Sequence, residues 1–200
     1  MSWDARFDQP EFYYGIEPSR FLTAQAWRLA PGAAVLSVAE GEGRNAVWLA
    51  AQGMCVHALD GSAPALAKAR GLALERGVSL TTEEADLARY IWPVAGYDAV
   101  LAIFIQFAAP PLRRAIFAGM KQALKPGGHL FLHGFSTRQL GYASGGPKAV
   151  EQLWTLDLLR ADFAGWQVLH QADYDADLRE GAGHSGPAAL IDFVARKPAD

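Results

Sequence analysis

The sequence predicts an α/β fold built on one doubly wound, mostly parallel, Rossmann-like sheet of seven strands, on three observations. From residue 33 onward, short β-like runs alternate with amphipathic helical stretches. A glycine-rich turn joins the first run to the helix that follows it. The chain then closes on two β-like runs with no helix between them, so a terminal hairpin should set one strand antiparallel to the rest.

The elements follow in order. Residues 33–39 read as a buried strand, and residues 44–52 as a helix that Gly53 stops. A second strand, 54–59, ends at Asp60. Ser62 is placed to cap the next helix, with Pro64 in its first turn and Ala65, Leu66, Ala69, Leu72 and Ala73 on its buried face. Residues 78–82 form a third strand and 97–104 a fourth. The helix opened by Pro110 and Pro111 carries Leu112, Ala115, Ile116, Gly119, Met120 and Ala123 on one face. Lys125-Pro126-Gly127-Gly128 stops it and feeds a fifth strand, 129–135. An amphipathic stretch over 149–163 precedes the closing runs, 166–174 and 188–196.

Two hundred residues suffice for one domain with a substantial core. We divide it into an aromatic-bearing N-terminal lid segment, 1–30, and a core, 31–200. The formal charge is −3, and the eighteen Lys and Arg form no block that could track a phosphate backbone, so no nucleic-acid partner is expected. Residues 1–20 carry six charges and no apolar centre, and no uncharged run approaches the roughly 18–20 residues of a membrane span. A soluble cytoplasmic protein is expected, with no membrane partner and an oligomeric state left open. Cys55, the one cysteine, lies in the apolar run Met54-Cys55-Val56 and is expected to be buried.

The chemistry-bearing stretch is Ser37-Val38-Ala39-Glu40-Gly41-Glu42-Gly43-Arg44-Asn45-Ala46. Glycines let the backbone approach a ligand closely, and free amides at a helix start face the crevice. Asp60, seventeen residues beyond Gly43, can accept from both hydroxyls of a ribose. Gly41, Gly43 and Ala46 also satisfy the G-x-G-x-x-G/A fingerprint, so the turn alone fits a nicotinamide dinucleotide as well.

Further motifs carry a resemblance: Tyr13-Tyr14-Gly15-Ile16-Glu17-Pro18, Leu124-Lys125-Pro126-Gly127-Gly128, Gly145-Gly146-Pro147, and Glu180-Gly181 followed by His184-Ser185-Gly186. With the glycine turn they make the chain resemble class I S-adenosylmethionine-dependent methyltransferases, in the small bacterial branch similar to tellurite-resistance-type methyltransferases. The resemblance implies an enzyme that binds S-adenosylmethionine and methylates a small-molecule acceptor. It implies that Gly41 and Gly43 line the methionine part, Asp60 holds the ribose, and Asp86 accepts from the adenine amino group beside Leu87. Ile103 and Phe104 would flank cofactor and acceptor, and Tyr14 would close over the sulfonium, whose charge aromatic faces attract.

The chain departs from the class at Ser37, where an acid is common, and at Ala39, where a glycine is common; either Glu40 or water is expected to stand in for the missing carboxylate. His133 stands where relatives of this branch would carry a carboxylate. As catalytic candidates we take His184, in a Gly-rich loop, and His133, at a strand end. His57, His129 and His170 read as structural, and no spacing of metal ligands appears, so no metal is expected. Two alternatives stay open: a non-catalytic S-adenosylmethionine-binding module and a nicotinamide-dinucleotide oxidoreductase.

Overall fold

The computed structural model describes residues 3–199; Met1, Ser2 and Asp200, at the outer ends of the expected 1–30 and 31–200 segments, lie outside the described residues. Two short helices open the chain, α1 (Trp3–Phe7) and α2 (Arg20–Gln25), the second continued by a 3-10 turn. Then come β1 (Ala34–Val38), α3 (Arg44–Ala51), β2 (Cys55–Asp60), α4 (Ala63–Glu75), β3 (Thr81–Glu84) and β4 (Tyr97–Ile103). They are followed by α5 (Pro110–Ala123), β5 (Leu124–Phe135), α6 (Leu156–Asp162), β6 (Gln167–Glu180) and β7 (His184–Arg196).

The seven strands form one sheet in the order β3-β2-β1-β4-β5-β7-β6. Pairing is parallel from β3 through β5, and β7 runs antiparallel to both β5 and β6. The expected mostly parallel sheet with a closing hairpin is therefore the fold. Strand alternation builds a core on each face. Leu36, Val100 and Leu130 point to one side, where Ile116, Phe117 and Phe163 cover them. Val35, Leu101 and Phe131 point to the other, against Phe21, Leu22 and Leu49. Strands hydrophobic on both faces are what a sheet with two helical covers requires.

Several expectations change. The third strand begins at Thr81 rather than 78, because the Val78 amide turns back to Ala73 O and pairing starts only at Thr81, opposite His57. The stretch 149–163 is not one helix: the Trp154 amide leaves to donate to Phe135 O, and Thr155 caps the separate α6 through Leu158 N. The closing hairpin is longer than expected, and most of 175–187, read as a loop, is strand with its turn at Gly181–Gly183. Cys55 is exposed, because β-alternation sends it to the face opposite buried Val56 at the start of β2.

Where β1 ends, Ala39 has φ +50°, in the left-handed region that suits glycine. Relief of about 1–2 kcal/mol of left-handed strain exceeds the roughly 0.5–1 kcal/mol of extra unfolded-state freedom that glycine brings. Ala39→Gly should therefore raise stability by about 0.5–1 kcal/mol, read as a higher urea midpoint at unchanged slope. A lower midpoint would show that the Ala39 methyl contributes more by packing than its backbone costs.

Candidate active site

A cavity of about 620 Å³ opens at the carboxyl ends of β1, β2 and β4. It lies where the strand order reverses between β1 and β4, the place where open α/β sheets bind their ligands. Of the residues expected to hold a cofactor, all but Gly43 border it, and His184 borders it as well. Gly43 serves the backbone instead. It precedes α3 with φ +94°, and a Cβ there would stand 2.7 Å from Ala69 Cα in α4. Gly43→Ala should cost about 1–3 kcal/mol by overpacking, on top of left-handed strain, and thermal unfolding measures it. An unchanged melting temperature would mean that α4 yields freely.

Glu40 turns back under the glycine turn rather than facing solvent. Its Oε1 accepts from Asn45 N at 3.0 Å and Ala46 N at 2.8 Å, and its Oε2 accepts from the Ser37 hydroxyl. Burial raises its pKa, and those three donors offset only part of the rise. Ser37, Glu40 and the first turn of α3 are thus joined in one hydrogen-bonded unit. The amides that open α3 are consumed by a carboxylate of the protein itself.

Asp60, 8 % exposed, closes the turn from the other side. Its Oδ2 accepts from Gly41 N at 2.7 Å and its Oδ1 from Ser62 N at 2.9 Å. Burial raises this carboxyl too, against the pull of the Gly41, Ser62 and Gly61 amides. Asp86 is exposed, accepts from Ala88 N at 3.0 Å, and stands beside buried Leu87 at the cavity rim. Five carboxylates, on Glu40, Glu42, Asp60, Glu84 and Asp86, border the cavity. The one lining cation, Arg44, is bound to Glu180 at 2.9 Å.

The N-terminal segment is strapped over this turn. Glu42, 4 % exposed, accepts from Tyr14 N at 3.3 Å and from Lys68 Nζ of α4 at 2.8 Å, and Asn45 accepts from Ser19 N at 2.9 Å. Tyr14 is thereby fixed against the cavity, its ring 4.6 Å from that of His184.

His184 is the first residue of β7 and only 4 % exposed, not a solvated loop histidine. Its Nδ1 is 3.1 Å from Glu180 Oε2, directly across the hairpin. Burial would raise the Glu180 carboxyl, but the hydrogen bond with His184 and the charge of Arg44 outweigh it and hold the pKa at about 2. Burial lowers the His184 pKa below 6.5, against the opposing pull of Glu180. An ionised Glu180 only accepts, so neutral His184 carries its proton on Nδ1 and keeps a lone pair on Nε2. Phe104, with its backbone at φ +57°, packs its ring 4.3 Å from the imidazole.

His133 is placed differently. It does not border the cavity; its Nδ1 is 2.6 Å from Asp192, and its ring stacks on Phe21 at 5.0 Å. Asp192 also faces His170 Nε2 at 3.4 Å and accepts from the Tyr174 hydroxyl at 3.3 Å. His57, as read from its strand, is tied in place, to Tyr97 at 2.7 Å. Among the described residues, no group of three or more His, Cys, Asp or Glu is set to hold a metal ion.

A second cavity, about 310 Å³, adjoins the first. Trp3, Tyr14, Phe104, Phe107 and His184 border both and make up the shared wall. The segments after β4 and β5 and the hairpin turn meet here, through Gln106, Gly145 and Gly183. Gln106 ties two of them together, donating to Phe135 O at 2.7 Å and accepting from Phe135 N at 2.5 Å. Sequence reasoning missed Arg44, Glu42 and Glu180 as members of this site.

Fold and cavity together define a protein with the class I methyltransferase architecture, the class whose methyl donor is S-adenosylmethionine. Residues 35–128, just under half of the chain, match the family described as "Methyltransferase domain". No curated protein matches the sequence. Among solved structures, one described as conversion of a disulfide bond into a thioacetal group during echinomycin biosynthesis has a TM-score of 0.77. It is 21% identical, and the match covers 98% of this chain and 88% of that one. TehB from Haemophilus influenzae has a TM-score of 0.72 at 16% identity, over 98% of this chain and 65% of that one. The [4+2]-cyclase SpnF has a TM-score of 0.73 at 19% identity, over 98% of this chain and 91% of that one. The resemblance read from the motifs stands. No helix among the described residues is long and apolar enough to cross a membrane.

Proposed function

We propose that this protein is a methyltransferase that binds S-adenosylmethionine in the larger cavity and passes its methyl group to a small molecule in the smaller one. The observation that carries this reading is the Glu40 carboxylate on the Asn45 and Ala46 amides. A dinucleotide pyrophosphate needs those amides free, and it would meet five lining carboxylates with one already paired cation. A cationic ligand suits the same surface. The nicotinamide reading therefore loses its support at the turn that suggested it.

When bound, the cofactor supplies an electrophilic methyl group on a positively charged sulfur, already activated. The chain's own residues align the partners and exclude water. Asp60 is placed to accept from the ribose, Asp86 and Leu87 to meet the adenine, and Gly41 and Glu40 to border the methionine end. Tyr14 and Phe104 present aromatic faces to the reacting centre. His184 Nε2 takes the proton of an acceptor that arrives protonated, and Glu180 holds the imidazole in the required tautomer. Residues 1–30 act as the lid that the Glu42 and Asn45 contacts hold shut. The one thiol, exposed and free of any disulfide, fits a reducing cytoplasm.

Calorimetric titration tests the binding half: S-adenosylmethionine and its demethylated product should bind, and nicotinamide dinucleotides should not. Binding of nicotinamide dinucleotides alone would overturn the reading. Transfer of labelled methyl to a metabolite fraction tests the catalytic half. Cofactor binding with no transfer to any fraction would favour a non-catalytic binding module.

A further inference from the structure

The smaller cavity has a chemical character of its own. Aromatic rings make up much of its wall, with Tyr13, Tyr14, Phe104 and Phe135 among them, and no carboxylate borders it. Its one cation is Arg6 of α1. The guanidinium lies 4.6 Å from the Trp3 ring and 4.9 Å from the Tyr13 ring. No carboxylate among the described residues forms an ion pair with it; it donates a hydrogen bond to the Tyr14 hydroxyl at 3.4 Å. A half-buried guanidinium held between two rings is preorganised for an anion, and its fork matches a carboxylate in particular.

Tyr14 measures the span of the cavity. Its hydroxyl meets Arg6 at 3.4 Å and its ring lies 4.6 Å from that of His184, so a single side chain joins the guanidinium to the imidazole along the cavity wall. The volume, about 310 Å³, is at the low end of the roughly 300–1,000 Å³ usual for ligand pockets. A hydrated inorganic oxyanion would have to shed its water against ring faces with a single cation to receive it.

Resting on the function proposed above, we propose that the acceptor is a small aromatic acid whose carboxylate is held by Arg6 and whose ionisable hydroxyl, across the ring, faces His184. Arg6 is then the residue that selects acids from neutral phenols, and the aromatic walls select a planar body over an inorganic ion.

The probe is 4-hydroxybenzoate, titrated by calorimetry into the full chain saturated with S-adenosylhomocysteine. It should bind at least tenfold more tightly than 4-hydroxybenzamide, which has the same shape without the charge. Arg6→Gln should remove that preference and Arg6→Lys restore part of it, each at unchanged melting temperature. Equal affinity for acid and amide in the native chain overturns the proposal without any variant. Tighter binding of selenite than of 4-hydroxybenzoate, weakened by Arg6→Gln, overturns it in favour of an oxyanion. Failure of S-adenosylhomocysteine to bind would instead sink the cofactor reading, so the two failures are told apart.

Discussion

Replacement of His184 by Ala is expected to lower turnover of a protonated acceptor by about 10²–10⁴-fold, the usual range for a lost general base. Cofactor affinity should change far less than turnover, which calorimetry on the same variant checks. The pH profile carries the sharper signature. Because burial depresses the His184 pKa below 6.5, the imidazole is already neutral where a free histidine would be half charged. The acid limb of kcat/KM should therefore fall below pH 6.5. Glu180→Gln removes the carboxylate that pulls the imidazole upward, so the limb should move to still lower pH while turnover drops. A limb unmoved by that change would assign it to another group. Stability follows the same sign. His184 favours its neutral form in the fold, so its contribution is lost as pH falls from 6.5. Glu180, held at about 2, contributes fully above its ordinary 4.5 and is lost as pH drops from there toward 2.

The second large effect concerns Asp60. Loss of its charge-assisted hydrogen bonds to a ribose should weaken S-adenosylmethionine binding by roughly 1–3 kcal/mol, about 5- to 150-fold, in Asp60→Ala. The carboxylate also holds Gly41 N and Ser62 N, so part of that loss comes from a loosened turn. Asp60→Asn separates the two contributions, since its remaining carbonyl oxygen can keep one backbone amide. If Asn restores the melting temperature but not the affinity, the ribose contact is the larger part. Wild-type affinity in Asp60→Ala would place the ribose elsewhere.

The strands β1, β2 and β4 were legible because each is an apolar run bounded by turn residues, and the glycine turn because its spacing is local. What the sequence hid is long-range. Arg44 and Glu180 are 136 residues apart, and only the folded sheet brings the start of α3 against the hairpin. Once that pair is unseen, His184 looks like a loop residue. The signal that could have corrected this is the alternation Asp173-Tyr174-Asp175-Ala176-Asp177-Leu178, a period-two pattern marking the extension of β6. Charge on every second residue, two of them answered by Arg138, disguised the strand as a polar loop. Cys55 erred the opposite way: an apolar neighbourhood in sequence says nothing about which face of a strand a side chain takes. His133 was legible as a strand-end residue but not as the partner of Asp192, which lies 59 positions away.

The rings of Tyr14 and His184 belong to two cavities at once. A ligand in either cavity meets the same two rings, so whatever it gains or loses by shifting them bears on a ligand in the other, and that coupling is reciprocal by thermodynamic necessity. Donor and acceptor should therefore change each other's affinity by one common factor. On the proposed function, the sulfur left behind by transfer is neutral, and the aromatic faces would hold that product less than they held the donor.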